Sequence, residues 1–235
     1  MAAKFSQDDG DVVVIIGSGA GGGTLANALA KQGIRSVVLE AGKRFEMADI
    51  ENDEWAMFNK ISWLDKRIAT GGWDVAQNHP NLPAWIVKAV GGSTVHWAGV
   101  ALRFRDFEFR MRSENGDIKG ANLLDWPLSY EELEPWYVKA ERHMGVTGPT
   151  TGMPYHQWHN SFKVLAEGAK RVGYQEIQSG PMAINTQAYD GRPGCLQIGF
   201  CMQGCRIGAK WSTLYTDIPR AEAERRAEEE LKKAQ

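Results

Sequence analysis

The stretch Asp11-Val-Val-Val-Ile-Ile-Gly-Ser-Gly-Ala-Gly-Gly-Gly-Thr24 decides the fold. Residues 11–16 are a short apolar run rich in β-branched side chains, which predicts a strand buried on both faces of a parallel sheet. A glycine-rich turn follows. Residues 24–32 then carry helix-forming Ala and Leu, and Gly33 stands where a helix stops. Residues 35–39 (Arg-Ser-Val-Val-Leu) predict a second strand, which completes a βαβ unit. The fold class is α/β, a Rossmann-like dinucleotide-binding domain. Gly17-Ser18-Gly19-Ala20-Gly21-Gly22 is G-x-G-x-x-G in the setting that gives this pattern meaning, after a strand and before a helix. Gly17 permits the tight turn, Gly19 lets backbone approach a pyrophosphate, and Gly22 lets helix pack on sheet. The helix N-terminus offers N–H groups to phosphate. Glu40, at the end of the second strand, is placed to accept ribose hydroxyls and to repel a 2′-phosphate. A ligand-free glycine turn is the bland alternative, and these residues alone leave FAD or NAD open.

Bulk properties narrow the classes. The chain has 235 residues, 43% hydrophobic and 24% charged, ordinary for a globular protein. A net charge of −2 carries no nucleic-acid footprint. No apolar run is long enough for a membrane span, and residues 1–11 lack the basic and apolar regions of a signal peptide. The nine tryptophans suit either cofactor walls or plain core packing.

A second glycine motif, Val90-Gly91-Gly92-Ser93-Thr94-Val95-His96-Trp97-Ala98-Gly99, favours FAD. Two glycines let backbone pass close to a flat ring, and Ser93 with backbone N–H groups could bond its polar edge. With Gly17–Gly22, Leu39-Glu40-Ala41-Gly42, Asp125-Trp126-Pro127 and residues 191–210, this segment resembles the glucose–methanol–choline (GMC) oxidoreductases. More narrowly, it is similar to the catalytic subunits of bacterial FAD-dependent gluconate, fructose, sorbitol and glucose dehydrogenases. The resemblance runs from residue 11 to about 220. It implies an FAD site formed by Gly17, Ser18, Gly19, Gly22, Glu40, Ala41, Gly91, Gly92, Ser93, His96, Trp97, Ala98 and Gly99. It places His96 where some members bond FAD covalently, the alternative being a histidine that only packs beside the ring. The implied reaction is oxidation of CH–OH groups of sugars, polyols or sugar acids, with hydride passing to flavin N5.

Three cysteines within eleven residues, Cys195, Cys201 and Cys205, read C-x5-C-x3-C. An odd, tight cluster points to a metal or redox site. Three thiolates suit a [3Fe–4S] cluster, and the resemblance implies one that passes electrons to a haem-bearing subunit. Zinc, with His156 or His159 as a fourth ligand, and unligated thiols are the alternatives.

Elsewhere, residues 43–85 receive no assigned elements, apart from the Gly71-Gly72 pair and two proline turns. Residues 86–90 predict a strand. Ser129-Tyr-Glu-Glu132 is a capping box, opening a helix with Leu133, Trp136, Tyr137, Ala140 and Met144 at helical spacing and Gly145 as its stop. Residues 161–172 predict a second amphipathic helix, and residues 221–235 a solvated one. The expected organisation is an arm at 1–10, the FAD domain at 11–145, part of a substrate domain at 146–190, the cysteine loop at 191–210, and a linker with helix at 211–235. Against its family the chain looks like an N-terminal fragment or an engineered truncation, and a catalytically inactive FAD-binding or structural fragment is the alternative to an enzyme. The catalytic histidine that the resemblance implies near the family's C-terminus has no counterpart here, so no catalytic residue is assigned. The resemblance further implies a cytochrome c subunit, a small export subunit and the periplasmic face of the inner membrane; a cytoplasmic location is the alternative.

Overall fold

The computed structural model describes residues 8–61 and 87–234. The Gly71-Gly72 pair, the proline turns between 62 and 86, and His79 lie outside them. Two compact units are present: residues 1–98 with 197–235, and residues 99–196. These divisions fall elsewhere than the expected 145, 190 and 210, because residues 197–235 return to the first unit.

In the first unit, β1 (Val13–Ile16) pairs in parallel with β2 (Ser36–Leu39), in the register Val13↔Ser36 to Ile16↔Leu39. Helix α1 (Ala20–Ala30) joins them and begins four residues before the predicted start, inside the glycine run. It ends as expected. Gly33 has a φ of +68°, its N–H donates to Ala30 O, and Ile34 N–H donates to Leu29 O, the two bonds of a Schellman turn. The expectation that β1 is buried on both faces is corrected. Ile15 is buried, but Val14 and Ile16 are 58% and 88% exposed, and Leu39, opposite Ile16, is 55% exposed. Side chains alternate across a strand, and among the described residues only one face of this two-stranded sheet is covered.

The core of this unit is Phe45, Ile50, Met57, Ile61, Ala89, Val95 and Leu214. Met57 and Ile61 lie one helical turn apart on α2 (Glu54–Ile61), an element with no assignment from sequence. Of the expected strand at 86–90, residue 86 lies outside the described residues, and Ala89 forms a parallel bridge with Lys43. Gly42 makes that bridge possible: a Cβ there would lie 2.1 Å from Ala89 N.

Residues 211–216 are not a linker. Trp211, Ser212, Thr213, Leu214 and Thr216 are buried, as is Asp217 at the start of α6 (Asp217–Ala234). Helix α6 packs on α1, and the Asn27 amide donates to Asp217 Oδ1 (2.9 Å). Residues 218–222 are half-buried and residues 223–225 are exposed.

The second unit holds α3 (Met111–Asn115), α4 (Tyr130–Met144) and α5 (Asn160–Arg171). The predicted capping box is present: Glu132 N–H donates to Ser129 Oγ, and Ser129 N–H to Glu132 Oε2. Gly145 ends α4 at φ +71°. The covered face of α4 differs from the predicted one. Leu133, Tyr137, Val138 and Glu141 are the inner positions, while Trp136 and Ala140 are exposed. The cause is electrostatic. Arg103 grips Glu141 through two hydrogen bonds (2.6 and 2.7 Å), and the Thr150 hydroxyl donates to the same carboxylate (2.5 Å). The Arg103 hydrogen bond, offset in part by burial and aided by Thr150, holds the Glu141 carboxyl below its ordinary range. A depressed carboxylate pKa contributes stability that is present above pH ~4.5 and lost as pH falls through the folded value. Glu141→Gln is therefore expected to lower stability at pH 7 by about 2 kcal/mol. Denaturant melts of wild type and variant from pH 7 to 3 should converge; parallel curves would refute this role. Among the described residues no helix is long and apolar enough to cross a membrane.

Candidate dinucleotide site

The first turn sorts its glycines into two kinds. Gly22 and Gly23 are fixed by packing. A Cβ on Gly22 would lie 2.0 Å from Gly17 O, and one on Gly23 would lie 2.6 Å from Thr213 Cβ. Gly17, Gly19 and Gly21 instead face open space, with nothing within 4 Å of a Cβ. Gly17 needs its residue type for another reason, a φ of +85°. Gly19 has an ordinary φ of −64°, so neither strain nor a neighbouring atom demands glycine there. Gly19 caps α1, whose first turn has no side-chain cap and no acidic residue. An uncapped helix N-terminus behind small residues suits a phosphate.

Glu40, expected to accept ribose hydroxyls, is held by donors of the turn itself. Its Oε2 accepts Ser18 N–H (3.0 Å) and the Ser18 hydroxyl (2.6 Å), and its Oε1 accepts Gly42 N–H (2.8 Å). Burial would raise its pKa; hydrogen bonds from the Ser18 hydroxyl and from the Gly42, Ser18 and Ala41 N–H groups outweigh that and hold it low. The anion therefore shapes the turn, and a carboxylate with about four lone-pair sites still has acceptor capacity for a ribose. Ser18 makes an internal link. It is buried, and its Oγ both donates to Glu40 and accepts Gly91 N–H (2.9 Å). Ala41 is exposed and contributes its backbone.

That Ser18–Gly91 bond brings the second motif to the first. Gly91 has a φ of +94°, and a Cβ on Gly92 (φ +53°) would lie 3.0 Å from Gly19 Cα. Residues 92–94 form a 3-10 turn that absorbs the N–H groups of Gly92, Thr94, Val95 and His96, so those are not available to a ring edge. Ser93 is exposed beside them.

His96 is buried, and burial, outweighing a backbone bond with Met202 and aided by the Lys210 charge, lowers its pKa. Trp97 donates its indole N–H to Trp211 O (3.1 Å) and meets the Trp211 ring edge-on. Ala98 is half-buried at the end of this unit. Gly99 belongs to the second unit, where its carbonyl accepts Ala183 N–H (2.7 Å).

None of the three cysteines is in a disulfide. Cys201 and Cys205 bracket a turn in the first unit, and Cys205 Sγ accepts Lys210 N–H (3.4 Å). Cys195 lies in the second unit, with its N–H on Asn185 O. Among the described residues, no three Cys, His, Asp or Glu side chains gather as a metal-holding group. The two histidines considered as zinc ligands have other work: His156 Nε2 bonds Ile184 O, and His159 Nδ1 caps α5 by accepting Phe162 N–H.

Lys210 and Thr213 escaped the sequence reading. The Lys210 side chain is fully buried, and its ammonium donates to the carbonyls of Val95, Trp97 and Cys201 (2.9, 2.7 and 2.6 Å). Burial pushes its pKa down to about 8, against the pull of Cys201 and Cys205. The available signal was Thr216-Asp217 before Pro219, a helix-start pattern that set the end of 211–216 at a packed helix terminus.

Residues 64–228 match the GMC oxidoreductase family, and residues 15–63 match the NAD(P)-binding Rossmann-like domain. The fructose dehydrogenase large subunit of Gluconobacter japonicus is 31% identical over 88% of this chain and 42% of its own length. Paromamine 6'-oxidase of Streptomyces fradiae is 34% identical over 87% of this chain and 37% of its own. A cholesterol oxidase of Mycobacterium tuberculosis is 29% identical, with 84% and 35% coverage. The chain thus spans well under half the length of these relatives.

Proposed function

The chain belongs to the GMC oxidoreductase family, and from that premise we propose that it is the FAD-binding portion of a dehydrogenase acting on CH–OH groups of sugars, polyols or sugar acids. One observation carries the proposal: Gly17, Gly19 and Gly21 border open space while Gly92, from the second motif, stands against Gly19. A cradle of this kind, at an uncapped helix terminus and beside an ionised Glu40, fits a pyrophosphate with its ribose. FAD, when bound, supplies the hydride acceptor. The residues of this chain would bind and orient it: the α1 N-terminus would hold the phosphates, Glu40 would offer its remaining acceptor capacity to the ribose, and the 91–93 turn would close the second side. The printed names of two relatives, a fructose dehydrogenase large subunit and a paromamine 6'-oxidase, support the substrate class. His96, His156 and His159 are not proposed as the base, since His156 and His159 are held by structural bonds and His96 is buried.

The test is anaerobic mixing of FAD-loaded protein, in the longest form that contains this chain, with sugars, polyols and sugar acids. Bleaching of the flavin band with carbonyl product supports the reading; substrate oxidation that reduces NAD and leaves flavin untouched overturns it.

Electron exit through a [3Fe–4S] cluster, and with it a haem-bearing partner, is the finer proposal. The Lys210 N–H donates to Cys205 Sγ (3.4 Å) and its ammonium to Cys201 O (2.6 Å), so one buried lysine joins two of the three cysteines. The cysteines do not gather as a preformed ligand set among the described residues, so no step is derived through the cluster. Iron-replete anaerobic preparation is expected to yield about three iron atoms per chain, with an EPR signal on oxidation. Iron-free protein under those conditions would refute it.

A further inference from the structure

Segment 212–213 touches both glycine turns. Ser212 and Thr213 are fully buried, and Thr94 and Ser18 nearly so. One assignment of protons satisfies their contacts. The Thr213 hydroxyl donates to Ser18 O (2.9 Å) in the first turn. Thr213 N–H donates to Thr94 Oγ1 (3.3 Å), which in turn donates to Gly91 O (2.6 Å) in the second. The Ser212 hydroxyl then donates to Thr94 Oγ1 (2.8 Å) and its oxygen accepts Leu214 N–H. On the other side Gly91 N–H donates to Ser18 Oγ, and Ser18 Oγ–H to Glu40. The Thr213 side chain also fills the space left by Gly23, where a Cβ would lie 2.6 Å from Thr213 Cβ. Both glycine turns thus hang on one side chain and its backbone N–H.

We propose that Thr213 is a positioning residue that fixes the second glycine turn against the first, so that a cofactor spanning both meets them in register. This rests on the FAD reading. A ligand that occupies only the first turn and Glu40 does not depend on that register, and this separates the clamp from general stability. Thr213→Val keeps the shape and removes the hydroxyl; Thr213→Ser keeps the hydroxyl.

The experiment is calorimetric titration of wild type and both variants with FAD and, separately, with ADP. The expected result is that Thr213→Val lowers FAD affinity about tenfold, one hydrogen bond's worth. ADP affinity should stay unchanged, and Thr213→Ser should restore most of the FAD affinity. Unaltered FAD binding by Thr213→Val overturns the proposal, as does an equal loss for FAD and ADP. If circular dichroism shows that Thr213→Val does not fold, Thr94→Val reads the same clamp from the second turn, with the same FAD-specific loss expected and unaltered FAD binding as the refutation. Wild type that binds ADP but not FAD removes the FAD reading, and the clamp with it.

Discussion

Gly22→Ala is expected to unfold the first unit, whereas Gly19→Ala should leave it folded and abolish cofactor binding. The two residues lie three apart in one motif, and sequence alone treats them alike. Their surroundings differ. The new methyl at 22 would sit 2.0 Å from a backbone carbonyl, Gly17 O, and 3.1 Å from Ile15 Cγ2. Neither neighbour can rotate away: one is main chain and the other is buried in β1. Overpacking of this kind costs about 1–3 kcal/mol where side chains can shift and more where they cannot, which is a large part of a small domain's stability. At 19 the methyl meets no protein atom and the backbone stays in an allowed region. It would occupy the space in front of the α1 terminus, where a pyrophosphate must come within hydrogen-bonding distance. Thermal melts and cofactor titrations of both variants separate the effects. A Gly19→Ala protein that binds cofactor as wild type does would show that the open space is not a ligand site.

Glu40→Gln is expected to weaken cofactor binding by more than tenfold and to lower the melting temperature. Both carboxylate oxygens receive donors: two from Ser18 on one, one from Gly42 on the other. A glutamine amide has one accepting and one donating end. Whichever way it lies, its NH2 meets an N–H, and a buried donor goes unpaired. Loss of the Ser18 bond also releases Gly91, because Ser18 Oγ is shared between them. The same geometry sets a pH dependence. The folded carboxyl is held below its ordinary value, so its contribution is complete above pH ~4.5 and fades as pH falls through the folded pKa. Wild-type affinity should drop in that acid range, and the Glu40→Gln protein should lack the transition. A variant with wild-type affinity at pH 7 would show that Glu40 neither shapes the turn nor meets the ligand.

Much of the first motif was legible because its signals are local. A continuous β-branched run, a glycine turn and the Gly33 stop each act within a few residues, and β1, α1 and β2 follow from them. The Ser129–Glu132 cap is legible for the same reason. What was not legible depends on distant partners. Whether Val14 and Ile16 are buried depends on what covers the sheet, not on the strand's own pattern. The inner face of α4 is set by Arg103, far away in sequence, so Trp136 turns outward despite its apolar side chain. Residues 211–216 read as a connector because Ser, Thr and Tyr carry no periodic signal; they are core because Thr94, Ser18 and Gly23 receive them. Ser18 looked like a ligand contact by its place in the motif, and only the position of Gly91 shows that its hydroxyl is used internally. Cys195, Cys201 and Cys205 are close in sequence, yet the chain divides between them at residue 197.

If the two glycine turns form one FAD site, an equilibrium titration of the purified protein with FAD, followed by flavin fluorescence, with NAD run in parallel and Gly19→Ala as a folded control, shows it directly. Saturable binding of one FAD per chain, tighter than NAD, and its loss in Gly19→Ala is the expected result. Tighter binding of NAD, or equal FAD binding by wild type and Gly19→Ala, would contradict it.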